Sequence, residues 1–286
     1  MEIIPYRLYT VPLFCLLFLG HFVSGQLDYN FYDHSCPNLT GIVRNGVASA
    51  VAKETRMAAL FCAYTSMIVL SIGFEVIDAI KADVERACPS TVSCADILTL
   101  AVREAIYLVG GPFWLVAMGR RDGLTANETA ANEQLPSPIE PLENITAKFT
   151  SKGLTLKDVV VLSGAHTIGF AQCFTFKSRL FNFDNTGNPD PTLDASLLQS
   201  LQQICPNQAD SNTNLAPLDS VTTNKFDNVY YRNLVNNSDF FSQTKLSWGT
   251  TELLPWLCCT TGFPIFCLSF QNINGEDELH WCTYWT

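Results

Sequence analysis

The sequence is poor in charge, and above all in positive charge. Only 15% of its 286 residues are charged, and 17 basic residues stand against 27 acidic ones, for a formal net charge of −10 at pH 7. Proteins that bind nucleic acid or anionic membranes need a basic surface, so this balance argues against both partners. Hydrophobic residues make up 48% of the chain, which excludes an intrinsically disordered protein and allows a sizeable core.

The sequence also lacks the paired Cys-x-x-Cys spacing of a structural zinc site, although it contains eleven cysteines. That combination favours disulfide bonds formed in an oxidising compartment. The start of the chain agrees, because Arg7 precedes an apolar stretch at 11–23 that ends in Ser24 and Gly25. We expect residues 1–25 to be a secretory signal peptide and 26–286 to be the mature domain. The stretch is too short to span a bilayer comfortably. The alternative to a signal peptide is an interfacial or membrane-anchoring helix.

No second long apolar run follows, which predicts a soluble, secreted product without a membrane partner. Asn-x-Ser/Thr sequons, the acceptors of N-linked glycans, agree with passage through the secretory pathway. They lie at Asn38, Asn127, Asn144 and Asn236. Each is a weak signal by itself, because such triplets also arise by chance.

Strand-like alternation is nearly absent, and most of the chain has the apolar spacing of helices. Thr40 and Ser93 are candidate caps for two helices, and Thr155 with Asp158 resembles a capping box for a third. Further helices are predicted at 73–87, 142–151, 194–205 and 225–235. The pattern therefore predicts an all-α fold, one compact unit of two packed halves.

One histidine, His166, stands at the end of an apolar helix. Its small neighbours, Gly164, Ala165 and Gly169, would let a flat, bulky group approach the helix. Histidine is a usual axial ligand of haem iron, and its second ring nitrogen then needs a partner that fixes the ring's orientation. Taken alone, however, a lone histidine in an apolar helix is more often a satisfied core residue than a ligand.

Eight sequence blocks, taken together in their order and spacing, are highly specific. They are Gln26-Leu27 with Phe31-Tyr32 and Cys36-Pro37, Ala87-Cys88-Pro89 with Val92-Ser93-Cys94-Ala95-Asp96-Ile97, Gly110-Gly111-Pro112, Gly119-Arg120-Arg121-Asp122, Leu135-Pro136 with Pro138, Leu162-Ser163-Gly164-Ala165-His166-Thr167-Ile168-Gly169, Gly187-Asn188-Pro189-Asp190-Pro191, and Phe226-Asp227-Asn228 with Tyr230-Tyr231. In these blocks the chain resembles the secretory plant peroxidases, over roughly residues 26–59 and 73–238.

This resemblance implies an all-α haem-peroxidase fold, with two packed halves around a haem pocket, and haem b and Ca²⁺ as cofactors. It implies an enzyme that reduces hydrogen peroxide while it oxidises small phenolic donors. The family's products are secreted to the extracellular space or cell wall, or directed to the vacuole, and we expect a monomer.

Residue by residue, the resemblance makes His166 the axial ligand of the haem iron. It makes Thr167, Asp219, Thr222 and Asp227 the ligands of a calcium ion beside it, and hard oxygen ligands of this kind suit Ca²⁺. Without the resemblance, turn and helix-cap chemistry would be the preferred interpretation of these Asp and Thr residues. Pro136 corresponds to a position near the site of the aromatic donor.

The resemblance also implies two disulfides, Cys36–Cys88 and Cys173–Cys205. Cys94 matches a third half-cystine, whose partner in the family lies near the C-terminus; here Cys282 is one candidate among several. Asp96 with Arg120 or Arg121 is interpreted as a structural ion pair, because burying either charge alone would be costly.

The departures from the family lie at 60–72 and 239–286. The family carries a distal His, which moves the peroxide proton, and a charge-stabilising Arg in the helix after Arg56-Met57-Ala58-Ala59, but residues 60–72 contain neither. A second calcium site is also missing there, and the tail lacks the Asp that would bond His166. We therefore find no catalytic acid–base residue and predict poor folding with little or no peroxide turnover.

A shifted reading frame would account for both departures. A two-base shift across 60–72 permits Leu-Leu-Arg-Leu-His-Phe-His-Asp-Cys-Phe-Val-Asn, which restores the missing motif, and similar shifts make the tail family-like. The alternative is a real, divergent helix and a divergent Cys-rich tail. Three interpretations stay open: a haem peroxidase by descent, a non-catalytic secreted glycoprotein that binds haem, calcium or wall polymers, or an unstable, mis-framed product.

Overall fold

The structure is a computed structural model that describes residues 27–64, 74–125, 129, 133–137 and 140–235. The predictions for the signal peptide at 1–25, for most of 60–72, and for the tail with Cys282 lie outside these residues. In chain order the helices and strands are α1 Leu39–Lys53, α2 Met57–Tyr64, α3 Phe74–Ala87, α4 Cys94–Leu108, α5 Leu142–Thr150, α6 Leu156–Ser163, β1 Phe170–Gln172, α7 Lys177–Phe181, α8 Ala195–Ile204, β2 Leu215–Pro217 and α9 Val229–Val235. The all-α prediction is confirmed.

The central helix, α4, begins where Ser93 predicts. The Ser93 hydroxyl oxygen accepts a hydrogen bond from the backbone N–H of Asp96 at 3.1 Å. The carboxylate of Asp122 accepts two further N–H groups of the first turn, at 3.0 and 2.9 Å. These acceptors satisfy donors that a helix start leaves open, and the helix dipole favours their negative charge.

Helix α4 is buried on most of its circumference, because α1, α2 and α3 all pack against it. It ends at Leu108, and Gly110, two residues further on, adopts φ +95°. Gly111 allows a close approach there, since a Cβ on it would lie 2.8 Å from the ring of Phe226. The backbone N–H of Phe226 donates to the Val109 carbonyl at 2.9 Å, and this hydrogen bond links the loop before α9 to the end of α4.

Two helix starts differ from the sequence prediction. Helix α1 begins at Leu39 instead of after Thr40, because burial of Leu39 with Val43 and Val47 extends the apolar face by one residue. Helix α9 begins at Val229 instead of Lys225. The carboxylate of Asp227 accepts the N–H of Val229 at 2.9 Å and so caps a later start.

The predicted ion pair of Asp96 is confirmed with Arg120 as its partner, at 3.1 Å. Asp96 is fully buried, and its carboxylate also accepts the Tyr32 hydroxyl and the Gly119 backbone N–H, both at 2.8 Å. These donors compensate the buried carboxylate, and the group joins the N-terminal segment to α4 and to the residues around Gly119.

Both of the disulfides implied by the resemblance are present. Cys36–Cys88 links the start of α1 to the end of α3. Cys173–Cys205 links the residue after β1 to the residue after α8. Near-absence of strands is also confirmed in the described residues, where β1 and β2 pair antiparallel with Phe170 opposite Pro217. Among the described residues, no helix combines the length and apolarity needed to cross a bilayer.

Candidate active site

His166 lies in a 3₁₀ turn, Gly164–Thr167, that follows α6 directly. The predicted capping box starts α6: the Thr155 hydroxyl accepts from the Asp158 N–H while the Asp158 carboxylate accepts from the Thr155 N–H. Val159, Val160 and Val161 bury the helix against the interior. Helix α6, fixed by its cap and its buried valines, therefore leads directly into the turn that contains His166.

Burial lowers the pKa of the His166 imidazole from 6.5 to about 4. The charged form is disfavoured because burial removes the water that would solvate it. The ring is therefore neutral at physiological pH, and neutral imidazole is the form that binds a metal ion.

Two adjacent tyrosines of α9 lie against this turn. The ring of Tyr230 meets the His166 ring edge to face, with centroids 5.8 Å apart, and meets the Tyr231 ring edge to face at 5.4 Å. The Tyr231 hydroxyl donates to the carbonyls of Val160 and Val161, at 3.0 and 3.2 Å. Burial raises the pKa of Tyr231, so its hydroxyl keeps its hydrogen and remains a donor.

A cluster of two carboxylates and two hydroxyls stands next to His166. The Thr222 hydroxyl lies 3.1 Å from Asp219 Oδ2 and 3.1 Å from Asp227 Oδ1, and the Thr167 hydroxyl lies 3.5 Å from the same Asp227 oxygen. Asp219 and Thr167 are fully buried. The structure therefore brings together all four residues that the resemblance assigns to calcium.

The β1–β2 pair positions this cluster. Gly169 leads from His166 into β1, and its carbonyl accepts the N–H of Leu218, the residue between β2 and Asp219, at 3.0 Å. Turn chemistry is present as well, because Asp219 Oδ1 accepts the N–H groups of Val221 and Thr222 at 2.8 and 3.2 Å. Capping and cation binding are therefore compatible roles for these carboxylates. Within the described part of the chain, no three His, Cys, Asp or Glu residues form a metal cluster.

Helix α2 packs against Gly169, three residues after His166. Gly169, at φ +106°, approaches it so closely that a Cβ would lie 2.9 Å from Ala59 Cβ. The buried side chains described on α2 are Met57, Ala58, Phe61 and Cys62. Burial raises the pKa of the Cys62 thiol to about 12, so it remains protonated and provides no base near neutral pH. The sequence of α2 contains no His, Arg, Asp or Glu.

Two other predicted residues belong to other segments of the described structure. Pro136 is partly buried in a short segment, where the adjacent Leu135 carbonyl accepts a hydrogen bond from Lys148 Nζ at 2.7 Å. Cys94 is exposed at the start of α4 and forms no disulfide with another described residue. The roles of Tyr230 and Tyr231 were missed from sequence, although both stand in the last block that carries the resemblance.

Comparison with known proteins identifies the family. The sequence model of the family described as Peroxidase matches residues 65–256. Peroxidase 10 of Arabidopsis thaliana is 52% identical over 245 residues, 75% of this chain and 70% of the relative. Peroxidase N of Armoracia rusticana is 47% identical over 265 residues, 84% of this chain and 80% of the relative. The lignin-forming anionic peroxidase of Nicotiana tabacum is 43% identical over 254 residues, 80% and 78%.

The chain belongs to the secretory plant peroxidases. The predicted family and its all-α fold are thereby confirmed, and so is the class of enzyme, a haem peroxidase that uses peroxide as oxidant. Membership implies haem and calcium in general, together with hydrogen peroxide and a reducing donor. It is also a family of secreted proteins, in agreement with the signal peptide expected at 1–25.

Proposed function

We propose that His166 is the residue through which this chain binds haem b, and that its normal reaction is reduction of hydrogen peroxide with oxidation of phenolic donors. The observation that carries the proposal is the position of His166, a partly buried imidazole at a helix-to-3₁₀ junction beside paired carboxylates, which burial keeps neutral. A charged imidazole would have to lose its proton first, whereas this ring is ready to bind iron. When bound, haem would supply the redox chemistry on peroxide.

The four oxygen-bearing residues beside His166 are proposed to hold one calcium ion. Asp219 and Asp227 supply negative charge, and Thr167 and Thr222 add neutral oxygens, which together suit a hard divalent cation. The nearest described cation, Lys225 Nζ, is 3.8 Å from Asp227 Oδ2 on a side chain that is 65% exposed, so it compensates little of the buried charge. The second family site, in the stretch 60–72, is proposed to be lost.

We propose that this chain has little or no peroxidase activity. Residues 60–72 contain neither the His that would move the peroxide proton nor the Arg that would stabilise developing charge. General acid–base help alone accelerates such steps about 10²- to 10⁴-fold. Cys62, an ionisable side chain described on α2, stays protonated and does not replace them.

A second candidate function follows from the same absence. A chain that keeps His166 and the calcium ligands but lacks the distal His and Arg would serve as a non-catalytic secreted glycoprotein that binds haem, calcium or wall polymers. An unstable product of a shifted reading frame is the third outcome. We propose an extracellular or wall location before a vacuolar one, a monomeric state, and a disulfide from Cys94 to a cysteine of the tail such as Cys282.

The test compares three full-length chains expressed with haem in a secretory host. They are the wild type, His166→Ala, and a repaired chain in which 60–72 carries the restored distal motif. We expect a Soret band in the wild type and the repaired chain but not in His166→Ala. Oxidation of a phenolic donor such as guaiacol should be at least about 100-fold faster in the repaired chain.

Each part of this proposal can fail separately. If neither the wild type nor the repaired chain takes up haem, the haem assignment is wrong. If the wild type oxidises guaiacol as fast as the repaired chain, the catalytic deficit is wrong. The transcript sequence over codons 60–72 tests the frame-shift hypothesis independently: it fails if no alternative frame encodes His-Phe-His-Asp-Cys.

A further inference from the structure

The junction between α6 and the 3₁₀ turn contains a specific irregularity just before His166. In a continuous α-helix the Gly164 N–H would bond to the Val160 carbonyl, four residues back. Here it points instead to the carbonyls of Leu162 and Val161, two and three residues back, as the helix tightens into the 3₁₀ turn. The Val160 carbonyl therefore lacks the Gly164 N–H, which would be its donor in a regular α-helix.

The Tyr231 hydroxyl stands at this break. It lies 3.0 Å from the Val160 carbonyl oxygen and 3.2 Å from that of Val161, and its residue is 2% exposed. A buried carbonyl without a donor is costly, so the hydroxyl stabilises the tightened geometry relative to a regular helix. Because His166 is only two residues beyond Gly164, the angle of this break sets where the imidazole points.

The neighbouring residue of α9 contacts the imidazole itself. Tyr230 is 1% exposed, and its ring lies at 65° to the His166 ring. Tyr230, Tyr231, Leu234 and Val160 form one buried cluster that joins α9 to α6. One tyrosine therefore holds the main chain before His166 and the other limits rotation of its ring.

We propose that Tyr231 is a positioning residue for His166, acting through its hydroxyl at the α-to-3₁₀ junction, with Tyr230 limiting the ring's orientation. The inference rests on the proposed function for its relevance to haem, but its geometric content is independent of haem. In this assignment Tyr231 acts through the main chain before His166, where its hydroxyl meets the Val160 and Val161 carbonyls. Its effect is to keep the imidazole in one orientation, as partners outside the ligand shell do for metal-binding histidines.

The test uses Tyr231→Phe in the full chain, with two matched controls. Tyr32→Phe removes another buried tyrosine hydroxyl, which donates at 2.8 Å to Asp96 in the first half of the chain. Leu234→Ala creates a cavity in the same cluster as Tyr231 but keeps the hydroxyl. These controls separate the loss of a hydrogen bond at the junction from a general loss of packing or of any buried hydroxyl.

Amide hydrogen exchange of the haem-free proteins is the first measurement. We expect Tyr231→Phe to accelerate exchange in peptides covering 161–168, while Tyr32→Phe leaves them unchanged and Leu234→Ala changes mainly α9. The second measurement is haem affinity with the iron–histidine stretching frequency, for which we expect about 10- to 100-fold weaker binding and a shifted or broadened band in Tyr231→Phe. Unchanged exchange at 161–168 in Tyr231→Phe, or an equal change in Leu234→Ala, overturns the proposal.

The wild type provides a measurement that does not depend on the variant folding. At low denaturant concentrations, residues 161–168 and 229–235 should open together, with one denaturant dependence, because the tyrosines join them. Independent opening of 161–168 overturns the inference. If instead the coupling is observed and wild-type protein takes up no haem, the proposed function fails while the positioning role stands.

Discussion

Two buried carboxylates beside His166 make the response of folding stability to Ca²⁺ a sharp test. Asp219 Oδ2 and Asp227 Oδ1 each lie 3.1 Å from the Thr222 hydroxyl oxygen, so they are no more than about 6 Å apart, and their repulsion is about 3 kcal/mol at an effective dielectric constant of 20. Lys225 is 65% exposed and recovers at most about 1 kcal/mol of this. About 2 kcal/mol of repulsion between the two carboxylates therefore remains when no cation is bound.

The perturbation is Asp227→Asn, which removes one charge while keeping an oxygen that can cap α9. Without Ca²⁺ we expect this variant to be more stable than the wild type by about 2 kcal/mol, or about 4–8 °C in the midpoint of thermal unfolding. With Ca²⁺ at 100 times its dissociation constant, the wild type should gain about 2.7 kcal/mol, and the variant much less. The order of stability should therefore reverse between EGTA and Ca²⁺.

Thermal and urea unfolding in EGTA and in excess Ca²⁺ measure this reversal. Asp190→Asn is the control, because Asp190 is also buried but pairs with Arg179 at 2.6 Å. Breaking that pair should destabilise the protein by about 3–5 kcal/mol with or without Ca²⁺. The reasoning is refuted if EGTA leaves wild-type stability unchanged and Asp227→Asn is destabilising to the same extent in both buffers.

Three further predictions concern His166 and Asp96. Because burial holds the pKa of His166 at about 4 against 6.5 when unfolded, the unfolded chain binds more protons between these values. Haem-free protein should therefore lose up to about 3 kcal/mol of stability as pH falls from 6.5 to 4, measured by urea unfolding, and His166→Gln should lack this component. The same variant should show no Soret band after haem addition; an unchanged band would exclude His166 as the ligand. Asp96→Ala should cost about 3–5 kcal/mol, since it leaves Arg120 without its buried partner, and a loss below 1 kcal/mol in urea unfolding would contradict the structural role of the pair.

Local signals in the sequence were sufficient for much of the fold. Ser93 and the Thr155–Asp158 pair start helices where predicted, because a side-chain acceptor near open backbone donors acts over three residues and needs no distant partner. The starts at Thr40 and Lys225 were wrong for the complementary reason. Burial of Leu39 and the Asp227 carboxylate, both features of the folded surroundings, decided those boundaries.

The residues of the candidate site also fall into those that sequence reasoning predicted and those that it missed. His166 was singled out because small residues surround it, and the paired Asp and Thr residues because the family blocks contain them. Tyr231 was not given a role, since nothing near it in sequence indicates that its hydroxyl reaches Val160, 71 residues away. A contact over that separation depends on how α9 packs on α6.

By itself the sequence determined the helical class, the family, the disulfide partners and the absence of an acid–base residue in 60–72, because these depend on residue types, their spacing and local hydrogen bonding. Only the tertiary structure decided that His166 is neutral, that two carboxylates separated along the chain share one hydroxyl, and that a tyrosine holds the turn before His166. Burial and through-space charge act over a few ångströms regardless of sequence separation, so they arise only when the helices have packed.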